Sequence, residues 1–335
     1  MAIVKVRDVA RMAGVSAGTV SNYLNHPHKV AAPTGRRIEQ AIADLGYVTN
    51  STARALRTGD SRIIGHLTYE VGDPFFSSFS RGVQDAATAA GYEVVIANSD
   101  GSAERETQLL RFFGAQKVSG LLLSPVVDRS SEIAAFARSH TPVVLLDKHR
   151  GPAECSTVSV DDTEGGTLAA EHLLRIGCTH LYFVGGPLDI DAVQDRWNGA
   201  RRAVDAAATE VRLTQLPTAQ RSIRAGREAA EQLASLVAAD EYAGIFAVND
   251  LVAIGVLHGL LQRGIRVPED VAIVGYDDID FAEDAVVPLS TIRRPGARFG
   301  REAFDRLEDL LDGKPPTSTT FTPELIVRSS TSRVP

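Results

Sequence analysis

Residues 8–25 read Asp8-Val9-Ala10-Arg11-Met12-Ala13-Gly14-Val15-Ser16-Ala17-Gly18-Thr19-Val20-Ser21-Asn22-Tyr23-Leu24-Asn25. Their spacing predicts two short helices about a tight turn. Val6, Val9, Ala10 and Ala13 fall on one helical face. Gly14 stops that helix, because glycine enters the left-handed conformation without strain. Ser16 follows as an N-cap, and Val20, Tyr23 and Leu24 form a second apolar stripe that Asn25, His26 and Pro27 break. A third helix is predicted from about Pro33 and Thr34, with Ile38, Ala41, Ile42 and Leu45 inward and Gly46 at its end. Two short helices about a Gly14-Val15-Ser16 turn make a helix-turn-helix. Its second helix presents an exposed N-terminus that fits a DNA major groove. The alternative at this point is a purely structural three-helix unit.

Charge separates the two. Residues 1–60 carry eight Lys/Arg against four Asp/Glu, or +4, which leaves 27 against 38, or −11, for residues 61–335. A basic head on an acidic body suggests that the head meets a polyanion and the body does not. At 335 residues the chain has room for two to three domains, and 44% hydrophobic with 23% charged residues is ordinary globular composition. No apolar run approaches the roughly 18 residues that span a membrane. The first residues, with Lys5, Arg7, Asp8 and Arg11, lack the apolar stretch of a secretory signal. Cys155 and Cys178 make neither a disulfide framework nor a zinc site. The expectation is a cytoplasmic protein with no metal, no cofactor and no membrane partner.

The residues also carry a resemblance. Asp8-Val9-Ala10, Ala13-Gly14-Val15-Ser16, Thr19-Val20-Ser21 and Leu24-Asn25, followed by Leu45-Gly46-Tyr47 and Ala53-Arg54-Ala55-Leu56, resemble the head of lactose-repressor-type (LacI/GalR) transcription regulators. The likeness runs on to about Arg328. It implies that Ala17, Gly18 and Asn22 point at base edges. Ala17 can only touch a thymine methyl, Gly18 offers no side chain, and Asn22, where the family often has Arg, can pair bidentately with adenine. Ser16, Thr19, Ser21 and Asn25 suit phosphates, which position without specifying sequence, and capping alone also accounts for Ser16. The resemblance further implies a hinge helix at about 51–57, with Ala53 and Leu56 on DNA. A leucine there wedges into the minor groove at the centre of a palindromic operator and bends it; the alternative is that Leu56 packs into the head.

From Arg62 on, apolar strand candidates at 63–67, 94–97, 120–123, 143–146, 158–160, 181–184, 244–248 and 272–274 alternate with amphipathic stretches at 80–90, 104–113, 166–176, 194–208, 223–237 and 251–263. That alternation predicts parallel doubly wound α/β sheets, and the length suits two lobes rather than one. Ligands in such sheets sit beyond the carboxyl ends of the strands, so two facing lobes make a cleft. By resemblance the body is a two-lobed periplasmic-binding-protein-like fold. The chain crosses near 160–163, 289–293 and 319–323, giving lobe 1 about 62–160 and 293–320, and lobe 2 about 161–292 and 321–335.

Polar residues gather at the expected strand ends. Carboxylates and amides suit hydroxyls, Arg forks onto two at once, and aromatic rings cover the apolar face of a sugar. The resemblance implies that Asp73, Phe75, Phe76, Asp147, Lys148, Asp162, Arg196, Asn249, Asp277 and Arg294 bind the effector, and Trp197, the only Trp, is a further candidate because it lies beside Arg196. Asp162, Asp250 and Asp278 read equally as helix N-caps, Phe75 and Phe76 as core, and Trp197 as filling of the lobe interior. Asp73, Lys148, Asp162 and Arg294 stand where the family commonly has Asn, Arg, Asn and Gln. A neutral monosaccharide or a nucleoside fits the pattern; cations in excess of local pairing would admit a sugar acid or sugar phosphate.

No dinucleotide fingerprint, P-loop or HExxH motif occurs. The expectation is therefore not an enzyme but a homodimeric regulator, more a repressor than an activator, that binds operator DNA under control of a small effector. The alternatives are a sugar-active enzyme and a sugar-binding protein without a DNA role.

Overall fold

The computed structural model describes residues 4–47, 61–127, 129–139, 141–237 and 242–333. It divides into two units, residues 1–61 and 62–335.

The head holds α1 (Val6–Ala13), α2 (Ala17–Asn25) and α3 (Ala32–Leu45). Gly14 ends α1 and Gly46 ends α3, at φ of 64° and 58°, the left-handed geometry that glycine adopts without a Cβ penalty. Ser16 caps α2: its Oγ accepts the Thr19 N–H at 3.0 Å. Val9, Ala10, Ala13, Val20, Ile38 and Ala41 form a small buried core. The expected hinge helix, with Ala53 and Leu56, lies outside the described residues.

The body contains two six-stranded sheets. The first comprises β1 (Ile63–Thr68), β2 (Glu93–Asn98), β3 (Gly120–Leu123), β4 (Val143–Leu146), β5 (Ser156–Val160) and β11 (Ser318–Phe321). Its order is β11-β5-β4-β3-β1-β2 and its pairings are parallel. The second comprises β6 (His180–Val184), β7 (Arg212–Leu216), β8 (Ala243–Ala247), β9 (Val271–Asp277), β10 (Ser290–Arg293) and β12 (Glu324–Ile326). Its order is β12-β10-β9-β8-β6-β7, parallel except where β12 meets β10. The strands at the centre of both sheets are buried along their length, as continuous apolar runs covered by helices on both faces should be.

Around the first sheet lie α4 (Pro74–Ala89), α5 (Ala103–Gln116), α6 (Ser130–Arg138) and α12 (Gly296–Leu311). Around the second lie α7 (Asp162–Arg175), α8 (Asp191–Asp205), α9 (Ile223–Val237), α10 (Asp250–Leu261) and the short α11 (Asp280–Glu283). The chain passes between sheets after β5, after β10 and after β11. The second passage comes later than 289–293, because those residues include β10, whose Thr291 pairs with Gly275 of β9.

Helices α7 and α8, which carry the candidate site residues Asp162, Arg196 and Trp197, touch backbone to backbone. A Cβ on Gly166 would lie 2.1 Å from the Arg196 carbonyl oxygen, and one on Gly199 2.0 Å from that of Thr163. Only glycine permits that approach, and the approach sets Arg196 beside the start of α7.

Candidate functional site

In the head, Gly18 and Asn22 lie exposed on α2, whereas Thr19 and Ser21 are half-buried. Ala17 is half-buried too and packs against the head core. The Ser16 oxygen is committed to its cap and lies 2.9 Å from Thr19 Oγ1. Asn25 closes α2. Exposed Arg7, Arg36 and Arg37 supply positive charge on the same unit. Asn22 is thus the one expected base-reading side chain with both hydrogen-bonding capacity and free access.

In the body, strand ends and helix starts bring most of the other candidates together. Asp73 caps α4, its Oδ1 accepting the Phe75 N–H at 2.9 Å. Asn249 caps α10, its Oδ1 accepting the Val252 N–H at 3.0 Å. The two caps then meet across the cleft, Asn249 Nδ2 donating to Asp73 Oδ2 at 3.0 Å. Both side chains are therefore oriented by a helix start and by each other.

A ladder of alternating charge crosses the cleft. Arg196, on α8, donates through Nε to Asp162 at 2.8 Å and through Nη1 to the Val248 carbonyl at 2.6 Å. Its Nη2 stands 3.9 Å from Asp277, and its guanidinium lies 3.6 Å from the centre of the Tyr276 ring. Asp277, at the end of β9, is 3.4 Å from Arg294 Nη1. Arg294 also donates to Asp147, at the end of β4, and its guanidinium lies 3.9 Å from the centre of the Phe75 ring. Asp162, Arg196, Asp277, Arg294 and Asp147 thus form one buried chain from the second lobe to the first. The arginines are not surplus cations: each is matched by carboxylates, and Asp73 adds a further acid.

Burial and these partners set the protonation behaviour. Burial pushes Asp277 up to about 6, against the pull of Arg196. Burial raises Asp147, against the pull of Arg294. At Asp162 burial is outweighed by Arg196 and Arg294, and the carboxyl is held low. Burial pushes the Tyr69 hydroxyl up to about 12, so it stays a neutral donor. Asp147 and Asp277 also sit at positive φ, 54° and 103°, a conformation that costs residues bearing a side chain of order 1–3 kcal/mol and clusters at functional sites.

The ladder closes around an inner cavity of about 20 Å³ lined by Tyr69, Asp73, Phe75, Phe76, Ala192, Val193, Arg196, Arg221, Asn249, Asp277 and Arg294. That is room for about one water. Beyond Tyr69 and Ala192 a 40 Å³ gap reaches Asp147 and Lys148. It opens on a vestibule of about 340 Å³ between the 147–150 loop, α6 and the start of α8. Lys148 does not face the inner cavity; it pairs with Asp191 across this vestibule.

The structure resolves several ambiguities. The cap at the start of α7 is Asp161, which accepts the Glu164 N–H at 2.9 Å, so Asp162 is free to pair with Arg196. Asp250 is fully buried and ties Thr291 and the Ile279 N–H to α10, a structural knot. Asp278 pairs with Arg293 away from the cavity. Phe75 and Phe76 serve both readings, as buried residues that also line the inner cavity. Trp197 packs on Phe183, ring centres 5.5 Å apart, and lines none of these three cavities. Tyr69, Arg221 and Tyr276 were missed as site residues. Tyr69 follows β1 and could have been read as an aromatic at a strand end. Arg221 follows β7, and its guanidinium lies 4.9 Å from the Tyr69 ring centre.

Residues 5–50 match the family model described as bacterial regulatory proteins, lacI family, and residues 170–331 match a periplasmic binding protein-like domain. The ribose operon repressor of Bacillus subtilis (strain 168) is 35% identical over 317 residues, 94% of each chain. Among solved structures, the lac repressor dimer bound to operator and the anti-inducer ONPF has a TM-score of 0.84 and 25% identity, covering 98% of this chain and 99% of that one. A LacI family transcriptional regulator from Enterococcus faecium with bound ribose has a TM-score of 0.73 and 29% identity, covering 82% of this chain and all of the other.

Proposed function

The chain belongs to the lacI family of bacterial regulatory proteins, and on that premise we propose that it is a dimeric, cytoplasmic transcriptional repressor whose hold on operator DNA is set by a small neutral sugar bound between the lobes of its body. Residues 1–60 form the DNA-binding part, with Asn22 reading bases and Ala53 and Leu56 acting in the hinge. Residues 61–335 form the effector-binding and dimerisation part. The family is one of DNA-binding regulators and not of enzymes.

The observation that carries the effector class is the buried charge ladder. Four carboxylates, from Asp73, Asp147, Asp162 and Asp277, stand around two arginines. Such a site accepts hydrogen bonds from hydroxyl donors and repels an added anion, which would need cations left unpaired. Phe75, Phe76 and Tyr69 offer the flat apolar surface that covers one face of a sugar ring. The sugar controls DNA through its differential affinity for two lobe arrangements, so DNA and sugar change each other's affinity reciprocally.

A thermal-shift screen tests this reading, starting with pentoses, because the ribose operon repressor is a relative at 35% identity. A specific ligand at about 100 times its Kd stabilises the folded body by about 2.7 kcal/mol. A neutral sugar or nucleoside should raise the melting temperature while its phosphate does not. Stabilisation by sugar phosphates or sugar acids alone would overturn the neutral assignment.

A further inference from the structure

We infer that Arg294 is an internal latch of the cleft: its guanidinium holds the two lobes together in the ligand-free protein by occupying Asp147 and Asp277, and an effector enters by taking those partners over. The second half of this inference rests on the cleft being the effector site; the first does not.

Arg294 stands just after β10, where the chain passes from the second sheet toward α12 of the first. Its two carboxylate partners come from opposite lobes, Asp147 after β4 and Asp277 from β9. An arginine suits this place because its planar fork reaches two acceptors at once. The side chain is 3% exposed, and its guanidinium lies 3.9 Å and 5.7 Å from the centres of the Phe75 and Phe299 rings. The other ties across the cleft differ in kind: His149–Asp195, at 3.7 Å, is half exposed, and Arg221 meets the Tyr69 ring without a carboxylate. Asp73–Asn249 is a hydrogen bond with a neutral amide, and Lys148–Asp191 lies at the vestibule, where Asp191 is 57% exposed and solvent weakens the attraction.

Two further observations mark the latch as a stand-in and not a finished structural bond. Arg294 Nε and Asp147 Oδ2 are both buried with no hydrogen-bond partner among the described residues. A buried polar atom left unpaired is costly, and here a donor and an acceptor are left over in the same pair. A hydroxyl group can accept from the one and donate to the other. Moreover, the inner cavity keeps only about 20 Å³ beside the guanidinium. A sugar ring does not fit that space as it stands, and the latch makes its binding an exchange of partners.

Hydrogen exchange read by mass spectrometry on the full-length, ligand-free chain tests the latch without any effector or DNA. The variants are Arg294→Gln, which shortens and neutralises the side chain, and Arg294→Met, which keeps an apolar stem on Phe75. Both should speed exchange roughly tenfold or more at cleft-facing segments of both lobes, near 73–76, 147–149, 190–196 and 249–252, as expected when a charged tie that closes a local opening is lost. The buried strands β3 and β8 should be unaffected. Wild-type exchange at the cleft in both variants, or in Arg294→Met alone, would overturn the latch. Should the Arg294 variants fail to fold, Asp147→Asn removes one charged partner and leaves the arginine in place. It too should loosen both lobes, and unchanged exchange there would equally refute the inference. Faster exchange in a protein that no sugar stabilises would leave the latch standing and remove the effector reading.

Discussion

Replacing Asp277 by Asn should shift stability in the variant's favour as pH rises, while weakening the response to effector. The carboxyl is buried, and its pKa rises from 3.8 to about 6 even with Arg196 and Arg294 nearby. Between those two values the folded chain holds a proton that the unfolded chain has lost. The contribution of this group to stability therefore falls as pH rises from about 4 to 6, and stays low above that. Each pH unit between the two values corresponds to about 1.4 kcal/mol, so ionised Asp277 costs the folded state about 3 kcal/mol at pH 8. Asparagine keeps the shape and carries no charge. Relative to wild type, Asp277→Asn should thus gain about 3 kcal/mol on going from pH 4 to pH 8. Effector affinity should drop at least tenfold, the worth of a hydrogen bond to a charged group. Urea unfolding at the two pH values, with calorimetry for the sugar, gives all three numbers. An Asn variant whose stability relative to wild type does not depend on pH would refute the reasoning.

Other perturbations test other parts of the account. Arg196→Ala leaves Asp162 buried without its cation, and should destabilise the body by about 3–5 kcal/mol in urea unfolding; a loss below about 1 kcal/mol would mean the ladder is not a unit. Asn22→Ala should relax base choice at one half-site position by about 1–3 kcal/mol in a binding-site selection, and an unchanged profile would remove Asn22 from base reading. Burial pushes His66 down to about 4. The unfolded chain then binds a proton that the folded chain refuses below pH 6.5, and stability at pH 5 should be lower by about 2 kcal/mol than without this group. His66→Gln should remove that share of the acid loss, as melting at pH 5 and 7 would reveal. A fragment from residue 61 onward should bind sugar and no operator, as a gel shift and calorimetry would show; operator affinity in the fragment would overturn the domain assignment.

The parts of this protein legible in its sequence were those where local chemistry and burial agree. Continuous apolar runs such as β3 and β4 announced a sheet covered on both faces, and Gly14, Ser16 and Gly46 marked the helix ends of the head. The overlooked strands are short or polar: β7 reads Arg-Leu-Thr-Gln-Leu, β11 Ser-Thr-Thr-Phe and β12 Glu-Leu-Ile, all at sheet edges where one flank faces solvent, and β10 reads Ser-Thr-Ile-Arg, inside the second sheet between β12 and β9. Missing β7 also hid Arg221, which follows it. Helix α12 was overlooked despite the stripe Phe299, Ala303, Phe304 and Leu307, all buried. Among the site residues, polar groups at strand ends signalled a cleft, but their pairings did not. Asp73 and Asn249 meet across 176 positions, and Arg294 and Asp147 across 147. Such contacts exist only once two lobes face each other, and no local pattern encodes them. That is why the sequence left a sugar acid or sugar phosphate open beside a neutral sugar, and why the matching of the arginines shows only in the structure.

The central claim is that one small molecule, bound between the lobes, sets the affinity of the head for DNA. Fluorescence anisotropy measures it directly, with the full-length chain titrated onto a labelled palindromic operator at fixed salt, in the presence and absence of the sugar found by thermal shift. The account predicts a change in operator affinity of roughly fivefold to 150-fold, the usual range of allosteric coupling, and no such change in Asp277→Asn. Identical operator affinity with and without a sugar that demonstrably stabilises the body would contradict it.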